Sequence, residues 1–133
     1  MKKKRILVVD NDINAAKTFK SALSVDVDYK IDVAYSGEEC LNKMKNNQHD
    51  LLILDIMMPK VSGIDVCQSM IKDNKLKKIP VLLISSLPVS SRTFRNSIKK
   101  FKELKVVKDM LEKPFSISRL IKKCEAILNI SEQ

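Results

Sequence analysis

The chain has no tryptophan, an aromatic content of only 5%, a single histidine, and three cysteines that never fall at C-x-x-C spacing. So few aromatics argue against a surface that stacks nucleic-acid bases. The odd set Cys40, Cys67 and Cys124, each among apolar neighbours in a helix-like stretch, reads as reduced, mostly buried thiols rather than a disulfide framework. Nowhere do about twenty apolar residues follow one another, so no membrane-spanning helix is expected. The basic start Lys2-Lys3-Lys4-Arg5 leads into Ile6-Leu7-Val8-Val9, but Asp10 ends that run after four residues, too early for a secretory signal. A cytoplasmic location is expected. Repeats, low-complexity tracts and Gly/Pro/Ser-rich linkers are also missing, and residues 1–133 are read as one domain. A domain of that size buries roughly two-thirds of the surface its unfolded form exposes.

What the chain has in plenty is positive charge, a formal net +9. Hydrophobic and charged fractions of 44% and 31% are ordinary for a globular protein, so the excess needs its own reading. Most of it is Lys scattered along the chain, with one denser stretch, Arg92 to Lys108, holding seven basic residues and one acid. Phe94 and Phe101 within that stretch fall at helical core spacing. It is therefore read as a helix with a solvated basic face, and direct nucleic-acid binding is not expected.

Short β-branched or Leu-rich runs alternate with longer amphipathic ones, the pattern of βα units around a mostly parallel sheet. Arg5 to Val9 is continuously apolar after its first residue, as a strand buried on both faces must be. A helix is predicted from Ile13 to Leu23 with Asp12 as its N-cap and Ala16, Phe19, Ala22 and Leu23 on one face. Tyr29 to Ala34 is a second strand. Ser36 and Glu39 then stand at capping-box spacing before a helix that runs to about Lys45. Leu51 to Leu54 is the third strand, backed by a helix marked by Ile64, Cys67, Met70 and Ile71. Val81 to Ile84 follows Pro80 as the fourth strand. A helix from Ser91 to Leu104 carries the stripe Phe94, Ile98, Phe101 and Leu104. A short fifth strand is predicted over Met110 to Glu112, then a closing helix from Ile117 to Leu128 capped by Ser116. The lone His49, just before the third strand, is read as a surface residue.

In open parallel sheets the functional crevice lies at the carboxyl ends of the strands, so the residues that end each strand matter most. Here they are polar: Asp10-Asn11-Asp12, Asp55, Ser85-Ser86 and Lys113. Two carboxylates a few ångströms apart repel by about 4 kcal/mol at an effective dielectric of 20, so an edge that gathers them needs a cation. Mg²⁺ suits the position, because it takes hard oxygen ligands and commonly links carboxylates to a phosphate. A carboxylate can itself accept a phosphoryl group, with Lys113 and Ser85 stabilising its oxygens.

These residues resemble the receiver domains of two-component response regulators, over essentially the whole chain. The resemblance rests on the acidic cluster after the first strand, on Leu54-Asp55-Ile56-Met57-Met58-Pro59 followed by Gly63, on Pro80-Val81-Leu82-Leu83-Ile84-Ser85-Ser86, and on Lys113-Pro114-Phe115. It implies a flavodoxin-like fold, a doubly wound five-stranded parallel sheet of order 2-1-3-4-5 flanked by five helices. It implies that Asp55 is the phosphoacceptor, charged by the phosphohistidine of a sensor histidine kinase or phosphotransfer protein or by a small phosphodonor. Asp10, Asn11, Asp55 and the backbone carbonyl of Met57 would then hold Mg²⁺. Ser85 would be the switch hydroxyl and Lys113 the partner of Asp55 or its phosphate, with a cis Lys113–Pro114 bond. Its output would be binding to an effector protein or domain, and a homodimer is among the arrangements it allows. No catalysis is implied beyond self-phosphorylation and slow self-dephosphorylation.

Departures from the family pattern carry expectations of their own. Asn11 in place of a second acid implies weaker Mg²⁺ binding. Met110 stands where the family has a switch aromatic. The 28 positions from Ser85 to Lys113 are more than the family usually has, and the surplus lies in or after the fourth predicted helix. Met57 and Leu87, two positions after Asp55 and Ser85, are apolar and place an attacking water poorly, which implies a long-lived aspartyl phosphate. Two other readings stay open. One is a pseudo-receiver, an unphosphorylated interaction module. The other is a haloacid-dehalogenase-like phosphatase using Asp10 of Asp10-Asn11-Asp12 as nucleophile, although Asn14 stands where those enzymes usually carry Thr or Val.

Overall fold

The computed structural model describes residues 3–25, 28–86, 91, 92, 95, 96, 99 and 103–132. Its frame is a parallel sheet of β1 (Lys4–Val9), β2 (Tyr29–Ala34), β3 (Leu51–Asp55), β4 (Val81–Ser85) and β5 (Val107–Glu112), ordered β2-β1-β3-β4-β5. That is the expected 2-1-3-4-5 winding. Among the described residues four α-helices flank it: α1 (Ile13–Ser24), α2 (Gly37–Asn46), α3 (Gly63–Ile71) and α4 (Ile117–Glu132). Half of the helix predicted over 91–104, including Phe94, Ile98 and Phe101 of its stripe, lies outside the described residues.

Every residue of β3 and β4 is buried, because helices cover both faces of the sheet. Leu7, Val9, Leu52, Leu54 and Leu83 point to one side and pack with Cys40 and Met44 of α2 and Val66 and Met70 of α3. Ile6, Val8, Ile53, Leu82 and Ile84 point to the other and pack with Phe19 and Leu23 of α1 and Leu120 and Cys124 of α4. Each such side chain, taken fully out of water, stabilises the fold by roughly 1.5–3 kcal/mol.

Three local expectations need correction. The fifth strand starts at Val107, not Met110. Its register against β4 shifts between Val81 and Leu82, and as an edge strand it leaves Lys108 and Asp109 exposed, so its apolar signal is weak. The Ser36–Glu39 box is only half formed: Ser36 Oγ accepts from the Glu39 N–H at 3.1 Å, but Glu39 Oε1 accepts from the Tyr35 N–H, one residue early. A complete box instead opens α3, where Ser62 and Asp65 cap each other reciprocally. His49 is not a surface residue. Its exposure is 4%, and Nε2 lies 2.8 Å from Asp32 Oδ2, a carboxylate that Arg5 Nε also meets at 2.8 Å.

Candidate functional site

Because β1, β3, β4 and β5 are neighbours in that order, the residues that close them stand side by side at one sheet edge. Asp55 is in register with Ile84, one residue before Ser85, and Ser85 is in register with Glu112, one before Lys113. The Lys113 N–H donates to the Ser85 carbonyl at 2.7 Å, tying the ends of β4 and β5 together. Asp10, Asp55 and Ser85 are almost wholly buried, at 1%, 5% and 0% exposure. The structure thus brings together Asp10, Asp55, Ser85 and Lys113 at one sheet edge, where the strand-end reading expected them.

Lys113 Nζ donates to Asp10 Oδ2 at 2.9 Å and makes an ion contact with Asp55 Oδ2 at 3.6 Å. Burial works to lower the Lys113 ammonium, but the hydrogen bond and the charges of both carboxylates hold it above its usual value. Asp55 moves upward from the ordinary carboxylate range. Burial is the main cause, the Met57 N–H bonded to Oδ1 at 2.9 Å opposes it, and the charge of Asp10 adds to it. The second oxygen of Asp10 accepts from the Asp12 N–H at 2.9 Å. One ammonium therefore serves two buried carboxylates, the arrangement that like charges at short range require.

The loop after β3 is shaped to leave Asp55 at its floor. Lys60 adopts a left-handed backbone, φ 66°, and the chain returns so closely that a Cβ on Gly63 would lie 2.9 Å from the Asp55 carbonyl oxygen. Met57 sits half exposed at the rim, and Asn11 is exposed beside Asp10. Asp12 is turned to α1, where its Oδ1 accepts from the N–H groups of Asn14 and Ala15 at 2.9 and 3.2 Å. Met110 is partly buried against the α2/α3 core, in register with Leu83, and Leu87 lies outside the described residues. The Lys113–Pro114 bond is cis.

Two buried carboxylates that share a lysine are an oxygen donor set suited to a hard divalent ion such as Mg²⁺. Among the described residues no three or more His, Cys, Asp or Glu are placed to hold a metal ion together, so a metal here would draw its other ligands from carbonyl, amide or water oxygen. An aromatic contact that the strand-end reading missed also borders the site. Phe19 of α1 stacks on Phe115, and Lys113 Nζ lies over the Phe19 ring. Phe19 was legible only as a core position, and Phe115 only as part of Lys113-Pro114-Phe115.

A family model described as the response regulator receiver domain matches residues 6–125. The response regulator MprA of Mycobacterium sp. (strain KMS) is 31% identical over 126 residues, 93% of this chain and 50% of that protein. The response regulator ArlR of Staphylococcus haemolyticus is 30% identical over 129 residues, 96% of this chain and 54% of that protein. Among solved structures, the receiver domain of the Francisella response regulator 1452 superposes with a TM-score of 0.82 at 29% identity, covering 97% of this chain and 99% of that one. The chain spans about half the length of these two curated relatives. No helix among the described residues is long and apolar enough to cross a membrane.

Proposed function

The chain belongs to the response regulator receiver family, and on that footing we propose that Asp55 accepts a phosphoryl group from the phosphohistidine of a sensor histidine kinase or phosphotransfer protein. One carboxylate oxygen attacks phosphorus, the bond from phosphorus to the donor's imidazole nitrogen breaks, and that nitrogen leaves with the bonding electrons. The observation that carries this reading is the Lys113 ammonium set between Asp10 at 2.9 Å and Asp55 at 3.6 Å. A fixed cation there neutralises charge that grows as phosphoryl oxygens arrive, with little reorganisation. The buried Ser85 at the end of β4 is the hydroxyl proposed to follow the phosphate. Asp10, Asp55, the Met57 carbonyl and Asn11 are the proposed Mg²⁺ ligands, and the ion, when bound, supplies charge neutralisation for the transferring group. The protein's output is proposed to be binding to an effector protein or domain in the cytoplasm, with no reaction on any other substrate.

Intact mass after exposure to phosphoramidate tests the reading. A phosphoryl adduct that needs Mg²⁺ and is abolished by Asp55→Asn is the expected result. No adduct on the wild type, or a label mapping to Asp10, overturns it. Met57 has no group with which to orient water at Asp55, so the adduct is expected to be long-lived. Loss within seconds in the isolated protein refutes that corollary.

A further inference from the structure

The two carboxylates do not by themselves determine where Lys113 Nζ sits, since both attract it and their oxygens have other bonds to satisfy. A third group meets it from outside the acidic edge. The Phe19 ring centroid is 5.7 Å from Nζ, within the roughly 6 Å over which a ring face attracts a cation. Phe19 is 8% exposed and packed into the core shared by α1, α4 and the sheet, so its ring has little room to turn. Phe115 stacks on it in an offset parallel arrangement, with centroids 5.6 Å apart and planes within 5° of parallel. Phe115 in turn packs on the same core and stands two residues past Lys113. A ring face attracts the ammonium without taking up any of its three protons, which stay available to carboxylate or phosphoryl oxygen.

We propose that Phe19, braced by Phe115, is a positioning residue that holds Lys113 Nζ within reach of both Asp10 and Asp55. The inference rests on Asp55 being the phosphoacceptor, and it assigns part of that site's competence to α1. Phe19→Leu keeps an apolar side chain in the core but removes the ring face, so the rate of labelling by phosphoramidate should fall roughly two- to fivefold. Phe19→Tyr retains the ring and should label at the wild-type rate. In a Lys113→Ala background, Phe19→Leu should have no further effect, whereas a purely structural role would lower the rate by the same factor in both backgrounds. Proton NMR supplies a readout independent of labelling. The ε-methylene of Lys113 in the wild type should be shifted upfield of the other lysines by the ring current, and Phe115→Leu should reduce that shift while Phe19 is still present.

Wild-type labelling rates in Phe19→Leu, an equal loss in both backgrounds, or an ordinary Lys113 ε-methylene shift in the wild type would each overturn the proposal. If Phe19→Leu does not fold, Phe115→Leu and the wild-type shift decide it. An unlabelled wild type would instead strike at the phosphoacceptor reading, so the two failures are told apart.

Discussion

Asp55 is costly to keep charged. A carboxyl whose folded value lies above its ordinary 3.8 favours folding when protonated and opposes it when ionised, so at neutral pH its charge subtracts from stability. Asp55→Asn removes that charge at nearly constant shape, and its thermal midpoint is expected above the wild type at pH 7, the gap closing as pH falls through the Asp55 titration. Melting curves of the pair from pH 7 to 4 check this, and a less stable Asn variant at pH 7 would refute it. His49 works in the opposite sense. Burial lowers it below 6.5 even though Asp32 favours its cation, and Nδ1 has no hydrogen-bond partner among the described residues. The ring is therefore neutral at pH 7, and its contact with Asp32 is a hydrogen bond donated by Nε2–H rather than an ion pair. With the folded value depressed, its contribution is fully present above pH 6.5 and drains away as pH falls toward the folded value, because the unfolded chain takes the proton first. Urea midpoints between pH 7.5 and 5.5 should fall in the wild type and flatten in His49→Gln. Burial also pushes the thiols of Cys67 and Cys124 up to about 12, so native protein should react with a thiol reagent only on unfolding.

At the scale of elements, the site depends on how closely the loop from β3 to α3 folds back over Asp55. The Gly63 N–H donates to the Ile56 carbonyl at 3.2 Å, and a methyl at Gly63 meets backbone atoms that cannot swing aside. Gly63→Ala should cost about 1–3 kcal/mol by overpacking and slow labelling at Asp55, since the Met57 N–H that holds Asp55 Oδ1 lies in the same turn. Denaturant unfolding and phosphoramidate labelling measure the two effects, and a variant as stable and active as wild type would show that the loop has slack. The elements most legible in the sequence were those whose signal is local. Leu51-Leu52-Ile53-Leu54 and Val81-Leu82-Leu83-Ile84 are short unbroken apolar runs that suit strands covered on both faces, and Asp12 and Ser116 were caps by type and position. The Ser62–Asp65 box was hidden because Asp, rather than Glu or Gln, closes it. The first half of β5 was hidden because polar Lys108 and Asp109 interrupt it on an edge that tolerates exposure. His49 and the Phe19–Lys113 contact were hidden for another reason: their surroundings come from strands and helices far apart in the chain, and no periodicity encodes such a meeting.

Across the whole molecule, the two cores lie on opposite sides of β1, β3 and β4, so neither can open without stripping the strands that carry the site. Asp10 and Asp55 sit at the ends of β1 and β3 and Ser85 at the end of β4, all in the doubly covered centre. Lys113 instead follows β5, which among the described residues pairs only with β4 and whose residues are mostly half-buried or exposed. The carboxylate side of the site is thus built on the most tightly packed part of the fold, and the cation on its looser margin, beside Asp10, Asp55, the Ser85 carbonyl and the Phe19 ring. Leu54→Ala, at a position with 0% exposure, should cost about 2–5 kcal/mol, the usual penalty of a buried Leu truncation. Val107→Ala on the half-buried β5 start should cost far less. Amide exchange extends the comparison without mutation: β1, β3 and β4 should exchange only through global unfolding, and β5 through smaller openings. Equal protection of β5 and β3 would contradict this division. Faster exchange in β5 that slows on labelling of Asp55 would show Lys113 drawing its strand into the rigid part of the fold as the phosphoryl group arrives.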